Sequence, residues 1–180
     1  MKRKVAFLLA AVFALTLSAC SPKAPLPTDE QITAAYTKAV EAYSWFDLAS
    51  MACDSNTSKV QNGNPYYKVT NPDIQTMGEL KAHLETLFSD GIVTSLLNRG
   101  VYTEIDGQLY AIDAARGSDI TKGEERASII KENDQKFSYN VVVDLVDPEQ
   151  GETVVGTEPH SFPYEFVNNK WVFTDFSLVR

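Results

Sequence analysis

Gly100 separates two stretches of this chain whose apolar periods are incompatible. Before it, apolar residues recur every three or four positions, the spacing of a helix with one buried face. After it they alternate, the spacing of strands with one buried face. The first turn beyond the divide is Asp106-Gly107, set between residues 101–104 and 108–112. Asp-Gly suits a type I′ hairpin because both central positions of that turn need positive φ. Tight turns of this kind join antiparallel neighbours. The expected architecture is therefore α+β, with amino-terminal helices packed on one face of a curved antiparallel sheet.

Taken in order, the chain fills that outline. Thr28 opens a first helix with a capping box, since Gln31 lies three residues on. Ile32, Ala35/Tyr36, Ala39/Val40, Tyr43 and Trp45/Phe46 keep helical spacing to about Ala49. Residues 54–64 are polar and read as a loop, and residues 65–70, with Tyr66-Tyr67, as a short strand. Thr76 and Glu79 form a second capping box, before an apolar face of Met77, Leu80, Leu84, Leu87 and Phe88. Ser89-Asp90 caps a third helix, which Gly100 closes. Residues 127–131 form a strand that turns at Asn133-Asp134. Phe137, Tyr139, Val141, Val143 and Leu145 then alternate along a long strand. A turn at residues 147–151 leads to strand arms at 153–155 and 162–167, with a bend expected at Pro159. Asn168-Asn169 turns the chain into a last strand over 170–178. No internal repeat interrupts this single domain, 28–180, and its shape resembles the cystatin-like and NTF2-like folds.

The amino terminus points to a compartment. Lys2-Arg3-Lys4 is followed by an apolar stretch over 5–15, too short for a comfortable membrane span, and then by Leu17-Ser18-Ala19-Cys20. This is the lipobox pattern, so residues 1–19 are expected to be a lipoprotein signal peptide and Cys20 the lipidated residue. Residues 20–27 form a proline-rich tether that reaches only about 20 Å when extended. The domain is thus expected extracytoplasmically, anchored by that lipid to the outer face of the cell membrane. Without its leader the chain has 13 basic against 24 acidic residues, a net charge of −11. That balance argues against nucleic acid and against a polybasic grip on anionic lipid. With Cys20 lipidated, Cys53 has no disulfide partner and is expected as a small apolar residue near a helix end.

Catalytic chemistry is sparse. His83 and His160 are the only side chains with ordinary pKa values near neutrality. A nucleophile pair of Cys53 with either histidine has no flanking motif behind it. HExxH, GxSxG, P-loop and EF-hand patterns are all missing from the sequence. Asp113, Asp119, Glu124 and Glu125 do not have calcium-loop spacing, so solvated charge is the simpler reading. No enzyme, cofactor or metal is expected. The polar, glycine-bracketed residues 113–123 read instead as a recognition loop displayed on the hairpin.

The order of landmarks resembles the IseA-type DL-endopeptidase inhibitors of Gram-positive bacteria. A first helix ending near Trp45 is followed by Tyr66-Tyr67, Thr76, Leu80, Leu84, Phe88-Ser89 and Leu96-Leu97. Tyr102-x-Glu104-x-Asp106-Gly107-x-Leu109-Tyr110 comes next, then Asp113 and Gly117-Ser118, and finally Phe166-Val167-Asn168 and Trp171. The resemblance implies a secreted, non-enzymatic inhibitor that blocks the active-site cleft of NlpC/P60-type cell-wall peptidases, enzymes that cut peptidoglycan stem peptides. It implies partner contact through Asp113, Gly117, Ser118, Asp119 and Ile120, with Arg116 adding a positive charge where the family's loop looks acidic. The competing expectation is a lipoprotein that binds a small ligand in an NTF2-like concavity, which requires a deep apolar pocket between helices and sheet.

Overall fold

The computed structural model describes residues 25–113, 115–117, 119–150 and 153–179. The expected signal peptide, Cys20 and the start of the tether lie outside these residues, and so does Ser118. Among the described residues three helices come first or early: α1 (Asp29–Asp47), α2 (Met77–Glu85) and α3 (Asp90–Leu97). The same residues hold eight strands: β1 (Cys53–Gln61), β2 (Asn64–Val69), β3 (Tyr102–Ile105), β4 (Gln108–Ala111), β5 (Lys122–Asn133), β6 (Lys136–Asp147), β7 (Thr153–Val167) and β8 (Lys170–Phe173). The α+β class is as the sequence implies.

Local chemistry sets the helix starts. Thr28 and Gln31 complete the capping box of α1 reciprocally, each side chain reaching the other's backbone N–H. Thr76 accepts the Glu79 N–H at 3.1 Å, while the Glu79 carboxylate reaches one residue further back, to the Gln75 N–H at 2.8 Å. Ser89 occupies the cap position of α3 but makes no side-chain cap bond. Its N–H instead donates to the Phe173 carbonyl, so tertiary contact takes over from the local cap.

The strands divide between two four-stranded antiparallel sheets, ordered β1-β2-β4-β3 and β5-β6-β7-β8. The single curved sheet expected from the sequence is thus split, because β5 pairs with β6 and with no strand of the first sheet. β1 is a correction to the loop expected at 54–64. Its residues are almost all polar, with neither face fully buried, so alternation leaves no apolar signal. Its turn does leave one: Asn62 and Gly63 have φ of 53° and 82°, a positive pair like Asp106-Gly107 and Asn168-Asn169.

β7 runs unbroken through Pro159, where a bend was expected. Thr174 N–H donates to the Pro163 carbonyl at 3.1 Å, so the backbone groups of Pro163 face away from β6. Pro159 shares that parity, and the edge of β7 facing away from β6 has no ladder partner before Tyr164, so neither ring removes a β6 bond. The irregularity falls instead at Val155, left over between Leu145↔Gly156 and Val146↔Val154. Three further boundaries move. β5 begins at Lys122, ahead of the expected residue 127, and so takes in the end of the loop expected over 113–123. The β5–β6 turn is Asp134-Gln135, and β8 ends at Phe173, after which Phe176 and Val179 fold back into the core.

One apolar cluster joins everything, and α1 is its axis. At 19 residues this helix is about 28 Å long, enough to cross both sheets. Near its start Tyr36 stacks on Tyr139 of the second sheet, with ring centroids 4.2 Å apart. Near its end Phe46 meets Tyr102 of the first sheet edge-on at 5.1 Å. Between them Tyr43, Phe88, Phe162, Phe173 and Phe176 pack ring against ring, with centroids 4.9–6.0 Å apart for the contacting pairs Tyr43–Phe88, Phe88–Phe176, Phe162–Phe176 and Phe173–Phe176. All five belong to the apolar core.

Candidate functional site

Residues 113–120 connect the two sheets. Every described residue in this stretch is exposed: Asp113, Ala115, Arg116, Gly117, Asp119 and Ile120. The loop is nevertheless fastened at both ends. Ala115 forms an antiparallel bridge with Ala49, and the Arg116 N–H donates to the Leu48 carbonyl at the end of α1. At the far end, the Asp119 carboxylate accepts the Thr121 hydroxyl at 2.7 Å and the Thr121 N–H at 2.9 Å. These two donors hold the Asp119 carboxyl below the usual carboxylate range. The Val146 N–H then donates to the Thr121 carbonyl and ties the exit to β6.

The loop residues therefore have different jobs. Asp119 is spent on an Asx turn that shapes the loop. Asp113 faces Cys53 across a cavity of about 150 Å³ that Tyr67 and Ala115 also line. Ile120 is 74% exposed and walls a second, open cavity of about 420 Å³ together with Val146 and Val154. Sequence reasoning missed Val146 and Val154; the available signal was apolar residues in otherwise polar surroundings, Val154 being 55% exposed. Gly123 belongs to the same cavity, and a Cβ there would lie 2.8 Å from Val146 Cγ1.

Cys53 is the first residue of β1, not a helix-end residue. Burial, and after it the Asp113 charge, push its thiol above the ordinary range, which lowers the thiolate fraction that a nucleophile needs. His83 lies elsewhere, its ring 5.4 Å from that of Trp45, and burial lowers its pKa. His160 sits in β7 opposite Val141, with Nε2 2.9 Å from Glu158 Oε1. The three side chains occupy three separate surroundings. Among the described residues no group of three or more His, Cys, Asp or Glu side chains is placed to hold a metal ion. No helix among them is long and apolar enough to cross a membrane.

No protein-family model matches the chain, and no curated protein matches it at a significant level.

Proposed function

We infer that this protein is a non-enzymatic cell-surface lipoprotein that inhibits NlpC/P60-type DL-endopeptidases by seating residues 113–120 in the peptidase cleft. The observation that carries this reading is a loop exposed at every described position yet bonded to folded elements at both ends. A loop ordered before binding loses little conformational entropy on docking, the term that otherwise limits affinity. The net charge of −11 without the leader favours encounter with a basic cleft rim. Anchorage through Cys20 and the short tether keeps the domain where peptidoglycan is cut. The cystatin-like and NTF2-like shape belongs to the same reading, with α1 laid over antiparallel strands. A small ligand held in an NTF2-like pocket between helices and sheet is the weaker alternative, since aromatic side chains belong to the core there.

Ile120→Asp is the cleanest test, because that side chain is exposed, whereas the Asp119 carboxylate is engaged by Thr121 within the turn. Binding to a purified NlpC/P60 peptidase of the same organism, followed by calorimetry, is expected to weaken about tenfold or more. The melting temperature is expected to stay where it was. Failure of the unmodified protein to bind or slow any such peptidase would remove the proposal.

A further inference from the structure

A groove separate from the loop lies between α1, the turn after β2, and α2. It encloses about 420 Å³, within the size range of small-ligand sites. Its floor is apolar: Ile74 and Leu87 are buried, and Trp45 packs half-buried on the core. Around the rim stand Lys38 and Glu41 from α1 and Asp73 from the β2–α2 turn, all exposed. Elsewhere on this surface opposite charges pair, as in Lys59–Asp106, Lys81–Glu85 and Lys122–Glu158. Here they do not. Among the described residues, the Lys38 ammonium, the Glu41 and Asp73 carboxylates and the Trp45 indole N–H enter no hydrogen bond or salt bridge, although the Glu41 and Lys38 charges both act, in opposite directions, on the His83 ring.

We propose that this groove binds a small zwitterion, either a free amino acid or the end of a short peptide. Lys38 takes its carboxylate, Glu41 and Asp73 take its ammonium, and Trp45 covers the rest. The charge pattern selects that class. A purely anionic ligand would meet two carboxylates, and a purely cationic one would meet Lys38. The indole adds a face that attracts an ammonium and an N–H that makes no hydrogen bond among the described residues. His83, beside Trp45, supplies a further polar edge; burial favours its neutral form, so it does not upset the charge balance. The inference stands apart from the peptidase reading, because no residue of the loop lines the groove.

The chain has two tryptophans, so its indole N–H signals in a ¹⁵N–¹H spectrum can be told apart. Trp171 Nε1 donates to the Pro25 carbonyl at 3.3 Å and serves as the internal control. Titrating L-alanyl-L-alanine into the full chain is expected to shift the Trp45 signal saturably and leave Trp171 in place. Acetylating the dipeptide amine, or amidating its carboxylate, is expected to weaken binding about tenfold in each case. Lys38→Met and Glu41→Gln, at exposed positions of α1, are expected to do the same. L-Alanine in a parallel arm separates the two sources: tighter binding of the amino acid points to a free metabolite, and tighter binding of the dipeptide to a peptide end. Absence of a saturable Trp45 shift with either compound up to about 10 mM would overturn the proposal. So would equal affinity for the blocked and unblocked dipeptides.

Discussion

The Tyr102 hydroxyl lies in the core and serves two backbone groups, accepting the Met51 N–H at 2.8 Å and donating to the Trp45 carbonyl at 3.2 Å. Burial drives its ionisation well above the ordinary tyrosine range. Tyr102→Phe keeps the ring and its contact with Phe46 but strands a buried N–H. The expected loss is about 1–3 kcal/mol, seen as a lower urea midpoint at unchanged slope. Arg126 and Asp144 form a different kind of pair, a two-bond fork at 2.9 and 2.6 Å across β5 and β6. Arg126 holds the Asp144 carboxyl below its usual value. A carboxyl depressed in the folded state contributes stability above its unfolded pKa, near 3.8, and loses it as pH falls through the lower folded value. Asp144→Asn is therefore expected to be less stable than the parent at pH 7 and to lose less on acidification below about pH 4. Urea unfolding of both proteins at pH 7 and pH 3 checks this; an unchanged acid response would show that the fork does not titrate with folding.

At the scale of elements, two glycines separate backbone from packing effects. Gly107 has φ of +73° with nothing within 4 Å of where a Cβ would sit. Gly107→Ala is expected to cost about 1–2 kcal/mol from backbone strain alone. Gly123 is the reverse case. Its φ lies outside the positive range, but a Cβ there would press on Val146 and on Asp144, with its Cβ at 3.3 Å. Gly123→Ala is expected to cost about 1–3 kcal/mol through overpacking between β5 and β6. Thermal melts of both variants against a shared reference test the sizes; coupling Gly123→Ala with Val146→Ala should recover part of the loss only at the second site.

Across the whole molecule, Phe173 ties the helices to the second sheet. It is fully buried, and its N–H and carbonyl bond to Leu87 and Ser89 at 2.9 Å each. It also forms a parallel bridge with Phe88. Phe173→Ala is expected to destabilise by about 3–5 kcal/mol. Because one apolar cluster spans both sheets, unfolding should remain a single transition. Fluorescence of Trp45, near the first sheet, and Trp171, in the second, should then change together. Two separated transitions would mean that the sheets fold as independent units.

Periodicity and turn chemistry sufficed for the class, the three helices and most strands, because those signals are local. Thr28 with Gln31, Asp106-Gly107 and Asn168-Asn169 each dictate backbone geometry within a few residues, and each forms as its sequence implies. What lay beyond local reach was decided by neighbours. β1 is a strand because β2 pairs with it, although its side chains carry no apolar period. Pro159 is accommodated because that stretch of β7 has an open edge, a fact about the sheet and not about proline. Residues 113–120 were legible as an exposed connector between patterned segments. That Asp119 turns inward on Thr121 while Ile120 joins Val146 and Val154 depended on where β6 and β7 lie. The groove around Trp45 is the extreme case, since Lys38, Asp73 and His83 come from three elements and meet only once α1 is packed. Sequence determines what each segment can form; packing distant segments together decides which side chains share a surface.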